Sequence, residues 1–210
     1  LIVNPEEDRP ENIFNDGKCD KAGNFWAGSV HREELEEKGS LYCLSADFKC
    51  EPKYNGVTIS NGIAWTEDYK TMYYIDTPTL QVAAFDYDMD ICTISNKRVA
   101  VEFSPEYGMP DGMTIDTDGN LWVAMWGGSG VYKCNPRTGQ ILGKIDVPVA
   151  NVTSCIFGGK DMDVLYITTA MAELTDDEKK AQPLAGGVFQ VKTDAKGFPS
   201  NRFGNDFQNK

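Results

Sequence analysis

The chain has 210 residues, of which 41% are hydrophobic and 25% charged, the balance of an ordinary globular domain. Its net charge of −12, from 32 acidic against 20 basic residues, argues against nucleic acid and anionic membrane as partners and suits a protein that draws in cations. No apolar run approaches the roughly 18 residues of a membrane span, and no signal peptide is visible.

The chain opens on Leu1-Ile2-Val3 rather than Met, so it is expected to be processed or a fragment. A Pro-rich acidic lead, Pro5 to Pro10, precedes the first patterned segment. Cysteines stand at 19, 43, 50, 92, 134 and 155, with no CxxC, which argues against a zinc ribbon. Cys43 and Cys50 flank a turn (Leu44 to Lys49) and are placed to face each other across a hairpin, although buried free thiols are the commoner state. The even count and the sequon Asn151-Val152-Thr153 point weakly to secretion; a cytoplasmic location is the first expectation.

Four segments align along the chain. Asn15-Asp16-Gly17-Lys18 leads to Gly23-Asn24-Phe25-Trp26-Ala27-Gly28, and Asn61-Gly62-Ile63-Ala64-Trp65 leads to Thr71-Met72-Tyr73-Tyr74-Ile75-Asp76. Asp111-Gly112-Met113-Thr114-Ile115 leads to Gly119-Asn120-Leu121-Trp122-Val123-Ala124, and Ser154-Cys155-Ile156-Phe157 leads to Asp163-Val164-Leu165-Tyr166-Ile167-Thr168. The segments begin at 15, 61, 111 and 154, spaced by 46, 50 and 43 residues. Each reads as a short strand, a polar turn and a second apolar strand, followed by a further hairpin such as Val131 to Ile145. About four strands per unit of about 45 residues is the pattern of a β-propeller blade. Only Glu33 to Lys38 and Asp176 to Ala181 read as short helical turns.

The fold expected is therefore all-β, a single propeller domain over residues 1–210 with about four blades. Six such units need about 270 residues at this repeat length, so about 60 to 90 N-terminal residues are expected to be missing or to lie on a companion chain.

The innermost strand of each blade runs along the propeller axis, so Asn15, Asn61 and Asp111 converge at one mouth of the central channel, with Ser154 or Thr153 nearby. These are hard oxygen donors suited to one divalent cation, calcium first, with magnesium, manganese or zinc as alternatives. Singly, Asn-Gly and Asp-Gly are ordinary turn signals. Three at matching repeat positions, each followed by an apolar strand, make a ligand role as good a reading as a structural one. The sole histidine, His31, reads as a loop residue.

Over about Asn12 to Gly197 the chain resembles the senescence-marker-protein/gluconolactonase/luciferin-regenerating-enzyme family, which includes regucalcin. The resemblance rests on Phe14-Asn15-Asp16-Gly17-Lys18-Cys19-Asp20, Ser60-Asn61-Gly62-Ile63-Ala64-Trp65, Pro110 to Asp116 with Gly119 to Ala124, and Thr153 to Gly159. The phrase Met72-Tyr73-Tyr74-Ile75-Asp76 is most similar to insect members. The resemblance implies a six-bladed propeller with one axial divalent cation, held by a Glu of the first blade and by the residues matching Asn61 and Asp111. It also implies that Asn15 contacts substrate or metal-bound water and that Asp111 is the general base of lactone hydrolysis. Glu33, in the loop His31 to Lys38, is a candidate substrate contact. Two departures stand out: the blade bearing the metal-binding Glu is absent, and Ile13 replaces a substrate-binding Arg.

The reading is thus a metal-dependent hydrolase of a small lactone or related ester. The alternatives are a non-enzymatic calcium- or ligand-binding protein and a luciferin-regenerating or phosphotriesterase-like enzyme.

Overall fold

The computed structural model describes residues 1–204. Its elements run β1 (Asn12–Cys19), β2 (Phe25–His31), β3 (Gly39–Leu44), β4 (Cys50–Val57), β5 (Ser60–Trp65), β6 (Thr71–Asp76), β7 (Gln81–Asp88) and β8 (Thr93–Glu102). They continue with β9 (Met109–Ile115), β10 (Leu121–Trp126), β11 (Gly130–Asn135), β12 (Gln140–Asp146), β13 (Val152–Gly158), β14 (Val164–Thr169), the short helix α1 (Asp176–Ala181) and β15 (Val188–Lys192). The strands form four antiparallel sheets in chain order: β1 to β4, β5 to β8, β9 to β12, and a three-stranded β13 to β15. This is a four-blade propeller arrangement.

Each core lies between two successive blades. Leu41, Cys43 and Trp26 of the first blade pack on Ile63, Met72 and Phe85 of the second. Tyr73, Ile75 and Val82 of the second pack on Met113, Val123 and Met125 of the third. Trp122, Ala124 and Val131 of the third pack on Cys155, Leu165 and Ile167 of the fourth. The inner strand β5, between the first and third blades' inner strands, is buried throughout, and its Ser60, Gly62 and Ala64 are small enough for that close packing. The outermost strands β4, β8 and β12 are largely exposed and polar, as edge strands are. The outward faces of the first and last sheets carry exposed apolar side chains, among them Phe14, Phe25, Ile156, Tyr166 and Val188.

A buried aspartate pins the inner hairpin of two blades. Asp20 accepts from the backbone and side-chain N–H groups of Asn24, from the Trp26 indole N–H at 3.0 Å and from the Tyr87 hydroxyl at 2.6 Å. Asp116 repeats the arrangement with Asn120 and with the Trp122 indole at 3.0 Å. Thr66 stands there in the second blade and closes its turn differently, donating to Asp68 and accepting from the Thr71 N–H.

Three local expectations are corrected. Cys43 is bonded to Cys92, joining the first blade to the second, while Cys50 is a free thiol. Cys43 cannot face Cys50, because Cys50 pairs with Leu44 in the β3–β4 register and adjacent residues point to opposite faces of a strand. Glu33 to Lys38 forms turns, not a helix; Glu34 and Glu37 take positive φ there. Asp176 to Ala181 is helical, capped by Thr175 and Glu178 in a reciprocal box. The sequon asparagine Asn151 is buried and donates to Ala172 O at 2.9 Å, so a glycan on it is incompatible with the folded chain.

Candidate functional site at the propeller axis

Every inner strand carries an irregularity near its start. The register slips between Phe14 and Gly17 in β1, between Asn61 and Ile63 in β5, opposite Ala124 at Asp111-Gly112 in β9, and between Val152 and Ser154 in β13. A bulge bends a strand and re-aims the side chain at the extra residue. Here the four bulges stand side by side and turn Asn15, Asn61, Asp111 and Thr153 towards one cavity of about 320 Å³. The Asn-Gly and Asp-Gly pairs are therefore not hairpin turns. Their glycines answer to packing: a Cβ on Gly62 would sit 2.8 Å from Asp111 O, and one on Gly112 would meet Ser154 Oγ and lie 2.6 Å from Ser154 Cβ. Ser154 thus fills the space left by Gly112, while Thr153 faces the cavity.

The polar groups are tied across blades. Asn15 donates through Nδ2 to Asn61 Oδ1 at 3.0 Å and to Ser60 O at 2.8 Å. Asn61, 6% exposed, donates through Nδ2 to Thr77 Oγ1 at 2.8 Å, and Thr77 donates to Pro110 O at 2.7 Å. This chain fixes the Asn61 amide, its nitrogen held by Thr77 and its oxygen by Asn15, at the wall of the cavity.

Asp111 is half-buried, and its carboxyl is pushed up to about 7, first by burial and then by the charge of Asp16; the Gly112 N–H opposes the shift. Burial likewise raises Asp16, against the pull of Lys18 and the Gly17 N–H. Lys18 is lowered by its own burial and supported by Asp16, and its Nζ donates to Met113 O at 2.8 Å. Asp16 thus couples by charge to both Asp111 and Lys18, while only Asp111 of the three lines the cavity. Sequence reasoning placed Asp111 but passed over Asp16, Lys18 and Thr77.

Among the loop residues, Glu34 and Glu173 reach the cavity wall. Glu33 is exposed outside it, its N–H bonded to His31 Nδ1 at 3.1 Å. Ile13, two residues before Asn15, is 39% exposed and also lies off the cavity. Among the described residues no group of three or more His, Cys, Asp or Glu side chains is close enough to hold a metal ion. The donors that do fit one are the oriented Asn61 oxygen and the Asp111 carboxylate, both hard oxygens. A cation beside Asp111 would also offset the burial and repulsion that raise its pKa.

A profile of the family described as the SMP-30/Gluconolactonase/LRE-like region matches residues 1–171. The chain belongs to this family. It is 42% identical over 195 residues to the regucalcin of Oryctolagus cuniculus, covering 90% of this chain and 65% of that protein. It therefore spans just under two thirds of the length of that relative. A luciferin-regenerating enzyme superposes with a TM-score of 0.89 at 37% identity, covering 96% of this chain and 68% of the other. The regucalcin of Agrobacterium tumefaciens strain C58, described as a calcium-binding protein, gives a TM-score of 0.91 at 27% identity, covering 97% and 68%. Family and propeller fold are as the motifs implied.

Proposed function

We propose that this chain carries the axial site of a divalent-metal-dependent hydrolase acting on a lactone or related ester. The observation that carries the reading is the convergence of Asn15, Asn61 and Asp111 on one cavity, with Asp111 held near pKa 7. Asn61 and Asp111 would hold the cation, calcium by preference given hard oxygen donors and an acidic rim. When bound, the cation supplies Lewis-acid polarisation of the ester carbonyl and of water. Asp111, ionised beside the cation, takes the proton of the attacking water. Asn15, more exposed than Asn61, orients the substrate through its amide. The apolar faces left open on the first and last sheets support a companion role for further blades, in the same or another chain, which would bring a second carboxylate to the axis.

The test is turnover of a lactone panel with and without a chelator, in the wild type and in Asp111→Asn. Turnover lost in both treatments supports the reading. Chelator-resistant turnover, or full activity in Asp111→Asn, overturns it.

A second reading is a calcium- or ligand-binding protein without turnover, favoured by the likeness to a regucalcin described as a calcium-binding protein. Tight calcium binding by calorimetry with a silent lactone panel selects it.

A further inference from the structure

The axial cavity is not the largest. One of about 660 Å³ lies in the gap between the second and third blades. It is bounded by the Thr66–Asp68 and Asp116–Gly119 turns, by strands of the second blade, by Arg137 at the tip of the β11–β12 hairpin and by Phe198. Those two turns follow the C-terminal ends of β5 and β9, whereas Asn61 and Asp111 stand near the N-terminal ends. The two cavities are therefore separated by the length of the inner strands.

Several donors on its walls are without partners among the described residues. Tyr73, on β6, is only 6% exposed and lines this cavity, yet its hydroxyl makes no hydrogen bond with any described residue. The hydroxyl itself is open to the cavity, so it can donate to a molecule that enters it. Arg137 forms no ion pair and no side-chain hydrogen bond among the described residues. Arg98 engages Asp86 at 2.7 Å and Asn96 O at 3.1 Å, both through Nη1. Both guanidiniums act on the Tyr73 hydroxyl, each favouring its ionised form against the burial that raises it.

Two of the carboxylates on the wall are already committed. Asp116 is saturated by Asn120 and Trp122, and Asp68 accepts from Thr66 and from the Lys70 N–H. Glu67 and Asp118 remain at the wall and lower the affinity for any anion without removing the donors. The rest of the wall includes Val99, Ala100 and Phe198, an apolar surface.

We propose that this interblade cavity is a second ligand site, for a small organic carboxylate. Arg137, with Arg98 beside it, receives the carboxylate, the Tyr73 hydroxyl donates to it, and the carbon body lies against Phe198 and Val99. A planar guanidinium matches a carboxylate edge-on, and an apolar wall with a few placed donors is the usual make-up of a small-molecule site. The site is independent of the axial chemistry.

Benzoate is the probe, titrated by calorimetry at low salt into the whole chain. A single saturable event is expected, weakened about tenfold by Arg137→Gln and about threefold by Tyr73→Phe, the range of one charge-assisted and one neutral hydrogen bond. Arg137 is an exposed hairpin residue, so its variant keeps the fold, checked by circular dichroism. Benzamide, the neutral counterpart, should not bind, and Asp111→Asn should leave benzoate affinity unchanged. The proposal is overturned by no saturable benzoate binding, by undiminished affinity in Arg137→Gln, or by benzamide binding as well as benzoate. Inorganic phosphate binding in place of benzoate overturns the carboxylate assignment.

Discussion

The side chains of Asn15 and Asn61 meet across two blades, Nδ2 to Oδ1 at 3.0 Å. The second asparagine is held from behind by Thr77, which in turn reaches the backbone of the third blade at Pro110. The Thr77 hydroxyl and the Asn61 amide together thus link three inner strands at the mouth of the axis. Thr77→Val keeps the shape and removes both bonds, leaving the Asn61 amide and Pro110 O short of a partner. Stability should fall by about 1–3 kcal/mol, measured by urea unfolding. Calcium affinity by calorimetry should fall as well, because the Asn61 amide is then free to turn its nitrogen into the cavity.

Asp111 links the site to pH. Its carboxyl sits at about 7 in the fold against an ordinary 3.8. Between these values the native state keeps a proton that the unfolded chain has lost, so stability falls as pH rises from about 4 to about 7 and then levels. Asp111→Asn removes the penalty. The variant should be more stable than the wild type at pH 7.5, by about 1–3 kcal/mol given partial solvent access, and indistinguishable near pH 4. Adding calcium at pH 7.5 should raise the melting temperature of the wild type and not of the variant. Calorimetric scans at the two pH values, with and without calcium, check each sign.

The parts legible in the sequence are those set by local pattern. Asp116 to Asn120 spells a turn and Leu121 to Trp126 an apolar strand, so repeat units, strand pairing and the positions of Asn61 and Asp111 follow from alignment. The parts that escaped depend on neighbours distant in sequence. Asp16 and Lys18 appear only as members of the repeat motif, and only the packing of neighbouring inner strands brings Asp16 near Asp111 and Lys18 onto Met113 O. Thr77 is an unremarkable polar residue 16 positions from its partner Asn61. Cys92 finds Cys43 because two blades abut, which no spacing rule encodes. Glu33 and Glu34 differ by one residue in an irregular loop, where left-handed backbone at Glu34 decides which carboxylate reaches the cavity.

The packing of Gly112 against Ser154 tests the inter-blade contact directly. Gly112→Ala places a Cβ 2.6 Å from Ser154 Cβ and 2.9 Å from its Cα, too close for a flexible side chain to relieve. The cost should be about 1–3 kcal/mol by denaturant unfolding. Combining it with Ser154→Gly should recover part of that loss. A double-mutant coupling near zero would show that the third and fourth blades do not meet there.

The Cys43–Cys92 bond closes a loop with a sequence separation of 49 and ties the third strand of the first blade to the outer hairpin of the second. Both blades already share a buried apolar core around Trp26, Leu41 and Phe85, so folding does not depend on the bond. Its contribution lies mainly in restricting the unfolded chain, about 2–4 kcal/mol for a loop of this order. Reduction, or Cys92→Ser, should lower the free energy of urea unfolding by that amount, with a lower midpoint, while the folded far-ultraviolet spectrum stays the same. The axial cavity lies away from this link, so calcium affinity should not change in the reduced protein. An unchanged unfolding midpoint on reduction would mean that the two sulfurs are not bonded in solution.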